Sequence, residues 1–188
     1  MIRTELAGVP AADRPSGPYP IGLMGLLATV AMLFASFTAA ILVRRTGIDW
    51  DPVTLPPIVW LSTAILIGSS VFVERSRAAA GTAACADHLR IAAILGILFL
   101  AGQIVAWFGL ARQGVFLDSN PHAAFFYMLS AIHGAHVLGG LGALAWTWKR
   151  AAGGAYTAGR AHGLLHTAIY WHFVGIVWLY LLVLLVTL

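Results

Sequence analysis

Long apolar runs alternate with short polar segments along this chain, and the runs have the length of membrane crossings. Ile21 to Val43 carries no charge and is stopped by Arg44-Arg45. At a rise of about 1.5 Å per residue it reaches about 35 Å, enough for a slightly tilted crossing. Leu55-Pro56-Pro57 opens a second run, apolar from Ile58 to Val73 and closed by Glu74, Arg75 and Arg77. Proline is tolerated in a first helical turn, because the N–H groups there lack intrahelical partners anyway. Ile91 to Ala111 is the third run, entered from His88 and Arg90. The fourth, His122 to Trp146, ends beside Trp148 and Lys149-Arg150, the aromatics and cations expected at a membrane interface. His162 to Leu188 is the fifth. The pattern predicts an all-α integral membrane bundle with helices near 21–43, 55–75, 89–112, 122–148 and 162–187. It places a single domain over 20–188, after a polar tail at 1–19 that contains Pro10, Pro15 and Pro18. That tail lacks the short apolar stretch and cleavage site of a signal peptide. Ala78 to Asp87, with Gly81 and Cys85, reads as a polar loop.

Composition agrees. Charged residues make up 10% of the chain and hydrophobic ones 60%, against about 25% charged in soluble domains. The single cysteine, Cys85, excludes an internal disulfide and a four-thiolate zinc site. The net charge of +4 is unevenly spread. With five crossings, Arg3, Arg14, Arg75, Arg77, Arg90, Lys149, Arg150 and Arg160 share one side, and Arg44, Arg45 and Arg112 the other. The bias predicts a cytoplasmic N-terminus and a periplasmic C-terminus. It is an orientation signal, not a footprint for nucleic acid.

Few polar residues interrupt the runs. His133 and His136 lie three apart on one face of the fourth, among Gly134, Gly139, Gly140 and Gly142. Glycine lets another helix come close, and a polar side chain can bond across to it. Two readings stay open. The pair can hydrogen-bond to neighbouring helices or lipid head groups, or it can begin a metal or haem site, with His162 and His166 adding two more ligands. A closed zinc site needs about four ligands, and no interior carboxylate or thiolate is available to complete one. His172 points about 120° away from His166 by helical geometry. Gln103 is the strongly polar residue of the third run, with Trp107 one turn on. Tyr170-Trp171-His172-Phe173 is a dense aromatic block in the fifth, and its polar atoms need partners in hydrocarbon. Asp and Glu occur only at positions 5, 13, 49, 51, 74, 87 and 118, in tails, loops or helix ends. A transporter or ion pump normally sets acids or cations along its path, so the chain alone fits that class poorly. Ser130 near His133 has no orienting acid, and no glycine-rich phosphate loop is present.

These residues bring a family into view. Phe126-Tyr127-x-Leu129-Ser130-x-x-His133-Gly134-x-His136-Val137-x-x-Gly140 resembles the fourth of five core helices in subunit III of haem-copper oxidases. Tyr170-Trp171-His172-Phe173-Val174, followed by Val177-Trp178, is similar to the last-helix signature of that family. Leu95-Gly96-x-x-Phe99-Leu100-x-x-Gln103 resembles its third helix, and Leu55-Pro56 with Thr63-Ala64-x-Leu66 and Ser69-Ser70 its second. The likeness runs in order from about residue 20 to 188 and matches the short, five-helix bacterial form.

The resemblance implies a multi-pass subunit of the bacterial inner membrane that binds no redox metal itself. Haems and copper would sit in partner subunits. The chain would pack directly on oxidase subunit I, in a complex with subunit II, hold phospholipid, and sustain proton uptake and turnover. Gln103, Trp107, Ser130, His133, His136, Gly140, Tyr170, Trp171 and His172 are then the candidate lipid or subunit-interface residues. The family's usual intramembrane acids are missing: Val30, Ala106, Leu165 and Gly175 stand in their places. No carboxylate-based role carries over. Rival readings are the same fold serving a quinol oxidase or nitric oxide reductase, and a small metalloprotein built on His133, His136, His162 and His166.

Overall fold

The computed structural model describes residues 19–156 and 161–187. Arg3, Arg14, Arg160 and Leu188, and the tail before Tyr19, lie outside the described residues. Five helices follow one another: α1 Tyr19–Arg44, α2 Ile58–Ala78, α3 Ala83–Arg112, α4 Pro121–Ala152 and α5 His162–Thr187. Each is long and apolar enough to cross a membrane, and no strand occurs among the described residues.

Two helix starts differ from expectation, for local reasons. α2 begins at Ile58, not Leu55. A residue before proline is pushed out of the helical region, so Leu55 and Pro56 stay outside, and Pro57 takes the cap at φ −56°, ψ −25°. α3 begins at Ala83, six residues before the expected start, which brings Cys85 and Asp87 out of the loop and into the helix. Thr82 is extended at φ −115°, ψ 162° and breaks the chain there. Nothing from Ala83 to Leu89 opposes a helix. Asp87 and Arg90 face outward, while Cys85 and Leu89 turn in. α4 starts on a conventional cap: Asn120 Oδ1 accepts from the Ala123 N–H at 2.7 Å, with Pro121 in the first turn. It runs past Trp148 to Ala152, and the left-handed Gly154 (φ +70°) turns the chain away. At the far end of α1, Arg44 bonds Asp49 across the loop at 2.7 Å. That hydrogen bond holds the Asp49 carboxyl below its ordinary range.

α2, α3, α4 and α5 form a closed ring in which each touches the next and α5 returns to α2. α1 stands outside the ring and touches only α4 and α5. It buries a narrow stripe, Val30, Phe34 and Ile41, against them. Its first turns are loose: a side chain at Gly22 or Gly25 would meet nothing within 4 Å.

Trp171 fills the centre of the ring. The indole of this α5 residue is 1% exposed. Gly96 of α3 and Gly140 of α4 make room for it from two sides. A methyl at Gly96 would come within 2.7 Å of the indole, and one at Gly140 within 2.9 Å. The third side is α2, where Trp171 Nε1 donates to Ser69 Oγ at 3.1 Å. One residue therefore touches every other helix of the ring. At the opposite end His122, at the head of α4, clasps two neighbours. Its Nδ1 accepts from the Val53 N–H at 3.2 Å, which leaves Nε2–H to donate to the Leu185 carbonyl at 3.1 Å.

Candidate functional site

Three hydroxyls on the inner face of α2, Ser62, Thr63 and Ser69, each serve two helices. Ser62 and Thr63 donate to the Val59 carbonyl of their own helix, at 2.9 and 2.7 Å. Their oxygens then accept from outside: Gln103 Nε2 of α3 reaches Ser62 Oγ at 2.7 Å, and Trp178 Nε1 of α5 reaches Thr63 Oγ1 at 2.9 Å. Ser69 donates across to the Ala92 carbonyl of α3 at 2.8 Å while it accepts from Trp171. A hydroxyl can donate once and accept twice, so these groups satisfy both neighbours without a charge. In hydrocarbon, where an unmade bond costs several kcal/mol, such pairs fix which helix faces which. Thr147 and Thr167 do the same between α4 and α5 at 2.8 Å.

Most of the candidate residues are committed to this internal network. Gln103 and Trp107 are one turn apart on α3 but reach different helices. Gln103 bonds α2, while Trp107 Nε1 donates to Ser130 Oγ of α4 at 3.0 Å. Gly140 is taken up by Trp171. Four candidates keep part of their surface outside: Trp107, His136, Tyr170 and His172 are each half-buried. Tyr170 donates to the His136 carbonyl at 3.1 Å. His136 Nδ1 donates to the Ile132 carbonyl at 2.8 Å, which leaves Nε2 as an acceptor.

His133 is 1% exposed and lies in a box of rings from three other helices. Trp178 is tilted against it at 5.1 Å, Phe99 stands perpendicular at 6.0 Å, and Phe34 is edge-on at 6.3 Å. Neither ring nitrogen has a conventional hydrogen-bond partner. The imidazole is packed as an aromatic ring, tilted against Trp178 and edge-to-face with Phe99 and Phe34. His136 lies against the same Phe34 at 5.7 Å. The four-histidine site does not assemble. Among the described residues no group of three or more His, Cys, Asp or Glu side chains could hold a metal ion. His162 is exposed at the start of α5, while His133 is sealed behind Phe99 and Trp178.

Sequence reasoning missed the pairing of His172. Its Nε2 lies 2.6 Å from Glu74 Oε1, and Arg77 donates to both oxygens of the same carboxylate at 2.9 and 2.7 Å. Glu74 is near the end of α2 in sequence, but α5 overhangs that end. An acid counted as terminal therefore meets a histidine about 15 Å into the last helix. The Ser69–Trp171 and Thr63–Trp178 bonds were missed as pairs too. Their only signal was a hydroxyl stripe on α2 and tryptophans seven apart on α5. Where the family's acids are missing, Val30 and Ala106 are 3% and 0% exposed among apolar neighbours.

The family model described as cytochrome c oxidase subunit III matches residues 22–187, the whole five-helix span. The chain belongs to the cytochrome c oxidase subunit III family. Cytochrome c oxidase subunit 3 of Synechocystis sp. is 34% identical over 167 residues, 85% of this chain and 70% of that one. The same subunit of Thermostichus vulcanus is 32% identical over 180 residues, 88% of this chain and 85% of the other. A probable cytochrome c oxidase subunit 3 of Nocardia farcinica is 29% identical over 167 residues, 85% and 82% of the two chains. The likeness spans the glycine-cradled Trp171 and the hydroxyl face of α2 alike, so the family and the bundle are one finding.

Proposed function

We propose that this chain is the non-redox accessory subunit of a bacterial haem-copper terminal oxidase that takes electrons from cytochrome c. It packs on subunit I, joins subunit II in the complex, holds phospholipid, and sustains turnover and proton uptake. One observation carries this reading: a subunit III match over the full membrane span, in a bundle most of whose interior hydroxyls and tryptophan N–H groups bond across to a neighbouring helix. The relatives named above support cytochrome c over quinol or nitric oxide as the partner chemistry. An affinity-tagged chain, extracted in mild detergent, is expected to bring down a complex with haem and copper spectra that oxidises reduced cytochrome c. Recovery of the chain with no chromophore-bearing partner contradicts the proposal.

The charge bias supports a cytoplasmic N-terminus and a periplasmic C-terminus in the bacterial inner membrane. Alkaline phosphatase fused after Leu188 is expected to be active and a fluorescent protein fused there dark. The reverse pattern overturns the orientation.

A further inference from the structure

The imidazole at the head of α4 is sealed and fully engaged. His122 is 1% exposed. Its Nδ1 accepts from the Val53 N–H of the α1–α2 loop, and its Nε2–H donates to the Leu185 carbonyl near the end of α5. Trp50 of the same loop stands perpendicular to the ring at 5.3 Å and lies against Phe125 at 6.2 Å. Val53 and Leu185 also line one hollow of about 340 Å³, together with Pro52, Trp60 and Val186. A single side chain therefore ties the loop to α4 and α5, and ties two walls of that hollow to each other.

Both bonds demand the neutral ring. The Nδ1 lone pair is what holds Val53, and a proton there would set two donors against each other. Among the described residues no carboxylate bonds the ring to take up that proton. Asp51 of the loop acts on the ring by its charge. Arg44 and Asp49 are bonded to each other, Arg45, Arg112 and Asp118 are exposed, and the last two turns of α5 bring no ionisable side chain. We propose that His122 is an acid-released latch: while neutral it pins the α1–α2 loop to the bundle, and on protonation it lets go of Val53 and opens that end of the hollow. On the orientation proposed above, the latch faces the periplasm. Its test uses neither that orientation nor the oxidase assignment.

The test is hydrogen exchange of the Val53 amide in the full chain in detergent micelles, at about pH 7.5 and about pH 4.5, which bracket the ordinary histidine range. Rates are divided by the intrinsic rate at each pH, and the Leu66 amide inside α2 is the internal reference. Protection of Val53 in the wild type is expected to fall by about tenfold or more at the lower pH, while Leu66 is unchanged. His122→Gln can accept from Val53 and donate to Leu185 without titrating, so its Val53 protection should stay level. Protection that is level in the wild type, or that falls equally in His122→Gln, overturns the latch. The imidazole nitrogen shifts of the wild type decide independently if the variant fails to fold by circular dichroism. They should report a proton on Nε2 alone at pH 7.5 and on both nitrogens at pH 4.5. A ring that carries its proton on Nδ1 at pH 7.5, or stays neutral at pH 4.5, also overturns it.

Discussion

Trp171→Ala is expected to cost about 3–5 kcal/mol of stability, the range for a large aromatic truncated in a packed core. The indole is 1% exposed and walled by α2, α3 and α4, so its removal leaves a hole that no single helix can close. Trp171→Phe should cost clearly less. It keeps a ring between Gly96 and Gly140 and loses mainly the N–H bond to Ser69, whose hydroxyl still donates to the Ala92 carbonyl. Denaturant titration of the purified chain in detergent, followed by helical circular dichroism, checks the order. Equal stability of wild type and Trp171→Ala would remove the tryptophan from the centre of the account.

The second large effect comes from the opposite change. Gly140→Val is expected to destabilise by about 1–3 kcal/mol or more, as overpacking does. Its Cβ would lie 2.9 Å from the indole and 3.2 Å from the Tyr170 ring. The indole cannot slide away, because Gly96 holds its far edge just as closely. The two sites must therefore couple. In a Trp171→Ala background the same Gly140→Val change should cost little, or regain some stability by filling the hole. A double-mutant cycle measures this, and contacting residues typically show interaction energies of about 0.5–3 kcal/mol. Strict additivity would mean that the glycine does not serve the tryptophan.

Much of this was legible in the chain. Five crossings follow from hydropathy alone, since no charge interrupts any of the runs for a membrane's width. The glycines of α4 announced a close helix approach. The particular matches were not legible. Nothing in the order of residues says that Ser69 meets Trp171, or that Gly96 and Gly140 cradle one ring, because those facts depend on how four helices close into a ring. Depth was misjudged for the same reason. Glu74 reads as a helix-end acid until the overhang of α5 brings His172 beside it. The start of α3 was hidden by charge. The segment that ends at Asp87 looks like a loop, yet Cys85 and Leu89 turn inward while Asp87 and Arg90 face out. His133 and His136 suggested a ligand pair, and three-residue spacing does place both against Phe34. Spacing could not foretell that rings from α1, α3 and α5 would enclose the first of them.

The central claim is that the chain supports redox chemistry carried by its partners and holds no electron carrier itself. Haem, iron and copper per polypeptide should be measured on the chain after it is separated from the purified oxidase and shown by circular dichroism to remain helical. The account predicts less than about a tenth of an equivalent of each, no visible absorption band, and all of the chromophore in the remaining subunits. One equivalent of haem or copper that stays with the chain, and is lost on His136→Ala, would contradict it.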